Sequence, residues 1–260
     1  MFKDREYPSD LTEKQWRLVA PLLPEWSGRG PRPTDRRWVV DAILYVTVTG
    51  CQWRQLPHDF PHWKTVYNTF WKWRRDGVIQ RVHDALRERA RKAAGKKPTP
   101  TAAIVDSRSV RTGEGGEQRG YDAGKKITGR KTHLAVDTLG LVLMVVVHSA
   151  SLQDHDGACF VLSRMRDRFK RLRVVFADSA YGRNGLPEWV SETFRWTLQT
   201  VLRPAGAQGF VALPKRWVVE RTFAWLMRCR RNARDYEKTT LSAEAFVQLA
   251  MIRIMARRLR

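Results

Sequence analysis

Apolar side chains in the first 94 residues recur at the three- and four-residue spacing of amphipathic helices. A capping-box pattern at Thr12 predicts the start of a first helix, and Asp35 predicts the start of a second helix that Gly50 ends. Two further helices are predicted over residues 63–75 and 78–94, the last of them basic and amphipathic. The pattern therefore predicts an all-α region with a helix-turn-helix-like organisation.

Short apolar runs separated by turn residues replace this pattern after residue 101. Strands are predicted over 102–106, 132–137, 141–148, 173–178 and 195–201, and a loop over 204–214. Helices are predicted over 154–170, 186–193, 215–234 and 242–258, the last capped by Ser242. A hairpin followed by helical crossovers gives an α/β mixed sheet with helices on both faces, and this order matches the ribonuclease H-like fold. We expect a helical domain over 1–94, a linker over 95–101 and the α/β domain over 102–260.

The charge of the chain narrows the class of partner. The formal net charge is +22, and it is spread over residues 1–97 (+9), 98–214 (+5) and 215–260 (+8). A basic surface on every part of a chain is typical of proteins that bind phosphate backbones. Passive nucleic-acid binders share this charge, so it indicates double-stranded DNA or another nucleic acid as partner and leaves the activity open.

Composition excludes several other classes. Hydrophobic residues make up 43% of the chain, which argues against wholesale disorder, and no apolar run reaches the roughly 18 residues of a membrane helix. The charged N-terminus lacks an apolar signal core. Cys51, Cys159 and Cys229 lie far apart, which argues against a zinc knot or a disulfide framework. We expect a cytoplasmic, nucleoid-associated protein that does not bind membranes.

Three acids lie where this fold could use them. Asp106 ends the first predicted strand, Asp178 ends the fourth, and Glu220 lies on the penultimate helix. Carboxylates at the ends of adjacent strands can share Mg²⁺, which prefers a few carboxylates together with waters and phosphate oxygens. Each acid taken alone has a simpler explanation: a helix cap or loop ion pair for the aspartates, and an i,i+4 pair with Arg216 for Glu220.

Four longer stretches carry a family resemblance: Thr49–Pro57 (TGCQWRQLP), Gly129–His133 (GRKTH), Ala177–Gly182 (ADSAYG) and Arg216–Trp225 (RWVVERTFAW). In this order they resemble bacterial insertion-sequence DDE transposases of the insertion-sequence-five type. The resemblance implies that Asp106, Asp178 and Glu220 form the catalytic, metal-binding triad. It also implies two Mg²⁺ ions, for which Mn²⁺ can substitute, and excision and joining of the ends of an element.

The chain departs from the broader superfamily pattern at two positions of this helix. That pattern has a tyrosine three residues before the arginine of Arg-x-x-x-Glu and a lysine seven residues after the glutamate. Leu213 and Met227 occupy these positions, and Arg228 is the neighbouring cation. Arg216 and Arg228 are therefore hypotheses for holding DNA near the scissile phosphate.

The predicted DNA contacts are basic or amide side chains in three regions: the outer side of the third helix, the glycine-rich segment before the second strand, and a stripe on the helix of Glu220. They are Lys64, Asn68, Lys72, Arg75, Lys125, Lys126, Arg130, Lys131, Arg216, Arg221, Arg228 and Arg231. Ordinary solvated charge is the alternative for each of them. The tryptophans of the third helix are interpreted as core, and His133 and His155, as isolated histidines, as structural.

The sequence thus predicts a transposase that cuts at insertion-sequence ends and joins the 3′-hydroxyl ends to target DNA. Because two ends and a target must be held together, we expect a homodimer or larger assembly with DNA. Two alternatives stay open: a metal-dependent nuclease or resolvase, which cuts without joining, and an inactive transposase-derived repressor, which binds DNA without cutting it.

Overall fold

The computed structural model describes residues 6–25, 34–113, 115–201 and 215–259. The predicted loop at 204–214, which includes Leu213, lies outside the described residues. The chain forms two compact units, each built from more than one segment. The helical unit comprises Met1–Ala94, Leu226–Ala233 and Leu241–Arg260; the sheet unit comprises Gly95–Trp225 and Arg234–Thr240.

The helical unit contains the four predicted N-terminal helices, α1 (Glu13–Val19), α2 (Arg36–Thr49), α3 (Trp63–Arg75) and α4 (Val78–Ala93). The capping box at Thr12 is present, and the Asp35 carboxylate accepts hydrogen bonds from the backbone of Arg37 and Trp38. Gly50 ends α2 in the left-handed conformation. Asp76 is the C-terminal cap of α3, and Gly77 is the N-terminal cap of α4.

The C-terminal helix α8 (Thr240–Arg258) belongs to the helical unit apart from its first residue. The ring of Phe246 stacks on Phe70 of α3 at a centroid distance of 5.0 Å, and Gln248 on α8 donates a hydrogen bond to Gln80 on α4. The predicted domain over 102–260 is therefore corrected, because the apolar face of α8 packs on helices from the start of the chain. The helix also begins two residues before Ser242, so Ser242 is not its cap.

The sheet unit contains six strands: β1 (Ala102–Arg111), β2 (Gly120–Asp122), β3 (Ile127–Val136), β4 (Val142–Ser149), β5 (Val174–Asp178) and β6 (Thr197–Val201). Their hydrogen-bonded order is β4-β3-β1-β5-β6, and β2 pairs with the first residues of β3. β1, β3 and β4 are antiparallel, while β1, β5 and β6 run parallel. This mixed sheet has the ribonuclease H-like arrangement that the sequence predicted.

Helix α5 (Asp154–Met165) leads from β4 to β5, and α6 (Leu186–Phe194) leads from β5 to β6. Val161, Leu162 and Met165 of α5 are fully buried in a core that also contains Val105 of β1 and Val175 of β5. This core anchors one face of the sheet, so the residues that alternate with Val105 and Val175 point to the other face. None of the helices in the described part of the chain is long and apolar enough to cross a membrane.

Several predicted elements differ in extent. The predicted strand at 102–106 continues to Arg111, and part of the predicted glycine-rich loop forms β2. The predicted helix at 215–234 ends at Met227, where α7 (Arg216–Met227) gives way to a short 3-10 helix at Arg230–Asn232. Cys229, between these two helices, is buried in an extended conformation, which breaks the helical pattern.

Candidate active site

Asp106 and Asp178 lie on the two adjacent parallel strands β1 and β5. The two strands pair as far as Ile104 and Phe176, and each aspartate follows two residues later. Since side chains alternate along a strand, both carboxylates point to the same face of the sheet, opposite the face that α5 covers. Asp178 ends β5, whereas Asp106 lies in the middle of β1 at the point where β1 and β5 separate.

Backbone groups orient both carboxylates. Asp106 accepts a hydrogen bond from the backbone N–H of Ser107 at 2.8 Å, and Asp178 accepts one from the N–H of Ala180 at 2.8 Å. Burial raises the pKa of Asp106 to about 6, although the Ser107 N–H and the charge of Arg216 act in the opposite direction. The surroundings of Asp106 therefore do not fully stabilise its ionised form.

Helix α7 brings Glu220 and Arg216 to this face. Its Thr222 hydroxyl donates a hydrogen bond to the carbonyl oxygen of Gly140 in the β3–β4 turn at 2.9 Å. Arg216 lies between two acids, with one nitrogen 3.5 Å from a carboxylate oxygen of Asp178 and another 3.5 Å from one of Glu220. Arg216 thus links Glu220 to Asp178 as a shared counter-ion.

A ready-made metal cage is not present in the part of the chain that the structure describes: no three His, Cys, Asp or Glu side chains there are grouped closely enough to hold one ion. Two carboxylates on adjacent strands and a third tied to an arginine nevertheless have the chemistry of a Mg²⁺ site, because Mg²⁺ binds through one or two carboxylates plus waters and phosphate oxygens.

Comparison with known families shows which family the chain belongs to. The family described as "Transposase DDE domain" matches residues 97–255, which is more than half of the chain and includes all three acids. The chain belongs to the DDE transposases. A second family, described as "Putative transposase of IS4/5 family", matches residues 11–83 in the helical unit. The predicted insertion-sequence family and fold are thereby confirmed.

Relatives of this DDE transposase come from other bacterial insertion elements. The "Insertion element IS402 uncharacterized 16.2 kDa protein" of Burkholderia cepacia is 32% identical over 119 residues, which are 42% of this chain and 78% of that protein. The "Putative transposase for insertion sequence element IS6501" of Brucella ovis is 29% identical over 131 residues, or 49% of this chain and 98% of that protein.

Several predicted DNA contacts of the transposase are accessible. In the helical unit, Lys64, Asn68, Lys72 and Arg75 are all exposed on α3. Trp71 between them is 42% exposed, with the guanidinium of Arg75 4.8 Å from its ring centroid, so the interpretation of this tryptophan as core is wrong. In the sheet unit Lys125 and Lys126 are exposed in the β2–β3 turn. Arg228 is exposed in the helical unit.

Two other residues that were predicted to contact DNA are buried, and each makes hydrogen bonds within its own unit. Arg130 has no exposed surface: it pairs with Asp235 at 2.9 Å and donates to the backbone oxygens of Glu117, Glu237 and Lys238. Arg231 donates to the carbonyl oxygen of Cys51. These arginines cannot reach a phosphate in this conformation, so their assignment to DNA binding is corrected.

Lys131 and Arg221 are engaged in a similar way. Lys131 is buried and holds the carbonyl oxygen of Leu152 at 2.7 Å and the carboxylate of Asp154 at 3.0 Å. Arg221 lies 4.4 Å from the ring centroids of both Trp217 and Trp225 and donates to the carbonyl oxygen of Leu139. Both side chains stabilise the sheet unit, and the predicted stripe on α7 stops short of Arg228 and Arg231 because the helix ends at Met227.

Sequence reasoning missed a polar network on the other face of the sheet. The Ser107 hydroxyl donates a hydrogen bond to Asp154 at 2.7 Å, and the Tyr181 hydroxyl lies 2.8 Å from Nε2 of His133. Each member looks isolated in the sequence. The one available signal was the spacing, since Ser107 directly follows Asp106 and Tyr181 lies three residues after Asp178.

Proposed function

We propose that this chain cuts DNA at the ends of its insertion sequence and joins the freed 3′-hydroxyl ends to target DNA by metal-dependent phosphoryl transfer. The observation that carries this proposal is the placement of Asp106 and Asp178 on adjacent parallel strands, within a chain of the DDE transposase family. Glu220 on α7 completes the catalytic set.

The raised pKa of Asp106 supports a cation at this position. A bound cation stabilises a carboxylate most where burial disfavours its ionised form. The phosphate groups of the DNA substrate would supply further oxygen ligands to the cation. Asp106 and Asp178 would hold Mg²⁺ first, and Glu220 would join them after its contact with Arg216 loosens. Bound Mg²⁺ supplies activation of a water or 3′-hydroxyl and stabilisation of the departing oxygen.

Arg216 has a part in this reaction that follows from its position. Its guanidinium is a counter-ion that Asp178 and Glu220 share before the substrate binds. A DNA phosphate is a strong bidentate partner for the same guanidinium. Arg216 would therefore turn from the carboxylates to the phosphate beside the scissile bond, which frees Glu220 for the metal.

Recognition of the element's ends is assigned to α3 of the helical unit. Its exposed face combines Lys64, Lys72 and Arg75 with Asn68, which suits phosphate contacts and adenine edges respectively. Lys125 and Lys126 would contact phosphates near the sheet unit. The active assembly would be a homodimer or larger complex on DNA, acting in the bacterial cytoplasm at the nucleoid.

A cleavage and strand-transfer assay tests the proposal. The substrate is labelled DNA that borders the gene, incubated with Mg²⁺ or Mn²⁺ and a target plasmid. The wild-type chain should cut and join, and chelation of the metal should stop both steps. Asp106→Asn, Asp178→Asn and Glu220→Gln should each lose at least about a hundredfold in rate, because each removes part of the site of the metal.

Asp167→Asn is the matched control, since Asp167 is an exposed carboxylate of the same unit. Its activity should equal that of the wild type. Cutting without joining would replace the proposal with a nuclease or resolvase. Specific DNA binding without cutting, in every metal tested, would replace it with a DNA-binding repressor.

A further inference from the structure

A column of buried polar side chains runs through the sheet unit on the face opposite the three acids. Nδ1 of His148 lies 2.9 Å from the carbonyl oxygen of Ser149, and its Nε2 lies 3.0 Å from Nδ1 of His133. Nε2 of His133 lies 2.8 Å from the Tyr181 hydroxyl. His133 and Tyr181 are almost fully buried, and His148 is 5% exposed.

The directions of these hydrogen bonds follow from their fixed end. The carbonyl oxygen of Ser149 can only accept, so Nδ1 of His148 carries a proton and its Nε2 is an acceptor. Nδ1 of His133 therefore donates to His148, and Nε2 of His133 accepts from Tyr181. Burial lowers the pKa of His133 to about 3 and also lowers the pKa of His148, which favours neutral rings and a column that points in one direction.

The column ends next to the strands of the acids. Burial and the carboxylates of Asp106 and Asp154 raise the pKa of Tyr181 well above its ordinary value, while the neighbouring Ser107 side chain opposes this rise. Ser107 is the residue whose N–H orients Asp106, and Tyr181 closes the short turn that begins at Asp178. Tyr181 therefore contacts the segments that carry both aspartates.

Packing alone does not explain these residues. Their neighbours on the same face are Val105, Ala135 and Val146. Apolar side chains in place of the polar ones would fill this core without burying groups that need hydrogen bonds. Gly157 on α5 leaves room for the column, because a Cβ atom there would lie 2.5 Å from His148 and 2.6 Å from His133. The polar column is thus accommodated at a cost to α5.

We infer that the Tyr181–His133–His148 column is a positioning device, which fixes the backbone of Asp106 and Asp178 so that their carboxylates meet one metal ion. The inference rests on the proposed function, since it assigns the metal to that site. Tyr181 acts through the backbone and touches neither metal nor DNA. Its role should therefore appear in metal affinity even when no reaction takes place.

Mn²⁺ binding, measured by electron paramagnetic resonance without DNA, tests the inference. Tyr181→Phe keeps the ring and removes only the donor to His133. It should raise the dissociation constant of Mn²⁺ by about 10- to 100-fold, as loss of a supporting hydrogen bond does in other metal sites. An unchanged dissociation constant would overturn the inference. Tyr121→Phe, at an exposed tyrosine of the same unit, should bind like the wild type.

A second set of variants separates positioning from general loosening. Val190→Ala destabilises the same core through α6 and removes no hydrogen bond of the column, so it should keep wild-type Mn²⁺ affinity. If Tyr181→Phe fails to fold, His148→Leu, which removes the other end of the column, decides: weakened binding is expected, and wild-type binding would contradict the inference. If the wild-type chain binds no Mn²⁺ and Asp106→Asn leaves its spectrum unchanged, the proposed function itself fails.

Discussion

Asp106 lowers the stability of the fold, although it is part of the proposed metal site. Its pKa is raised to about 6 because burial disfavours the ionised carboxylate. A raised pKa of an acid means that the native state holds the proton more tightly than the unfolded chain does. The resulting loss of stability is absent below the unfolded pKa near 3.8 and fully present above about 6.

Asp106→Asn should therefore stabilise the chain at pH 8 when a chelator is present. The expected gain in the free energy of unfolding is on the order of 2 kcal/mol, and it should disappear as the pH falls towards 4. Urea unfolding at several pH values measures it. Asp167→Asn, the exposed control, should show no gain at any pH, and an equal gain in both variants would contradict the assignment to burial.

At the scale of elements, α5 depends on Gly157 to approach β3 and β4. A methyl group at this position would lie closer than contact distance to His133 and His148, so Gly157→Ala should lower the free energy of unfolding by about 1–3 kcal/mol. Thermal unfolding followed by circular dichroism measures the loss. Gly124→Ala is the control, because a Cβ atom there meets its nearest neighbour at 3.5 Å.

Arg130 stabilises a different element, the segment 234–240 that pairs with the loop after β1. Arg130→Met would leave Asp235 buried without its charged partner, which should cost about 3–5 kcal/mol. The same unfolding measurement checks this, with Arg119→Met as a control at an exposed arginine. A loss as small as that of the control would show that backbone contacts alone hold the segment.

Local signals in the sequence predicted the elements that local chemistry determines. The capping box at Thr12 and the cap at Asp35 predicted the starts of α1 and α2, and the glycine at 50 predicted the end of α2. Arg130 looked like an ordinary basic side chain because its partner Asp235 lies 105 residues away. The end of α7 was missed for a similar reason, since the burial of Cys229 depends on tertiary packing.

The acids of the candidate site were predictable only in part. Asp178 follows an apolar strand, and its position is visible in the sequence. Glu220 is one acid on a helix, and family resemblance singled it out. The Tyr181 column could not be predicted, because strand pairing brings together His133 and His148 from positions that look independent along the chain.

At the scale of the whole molecule, the net charge of +22 makes a prediction about DNA affinity. The logarithm of the affinity should fall steeply with the logarithm of salt concentration, by about 0.9 for each phosphate contact. Lys64→Gln, Lys72→Gln and Arg75→Gln together should make this slope shallower by about 2–3. Fluorescence anisotropy over a salt series measures it.

A control with equal loss of charge completes this experiment. Lys14→Gln, Lys92→Gln and Lys96→Gln remove three exposed charges that do not belong to α3. Their slope should match that of the wild type. Equal effects of the two triple variants would indicate that DNA responds to the overall charge and that α3 makes no particular contacts.

The chain enters the helical unit three times, at its start, at Leu226–Ala233 and at Leu241–Arg260. A gene fusion that exchanged the first 94 residues for those of a relative would therefore import only part of a folding unit. The two other segments of the unit would then have to pack against helices with different side chains. New end specificity in this lineage should accordingly arise through point substitutions on exposed helix faces, while shuffling of whole modules between elements should be selected against.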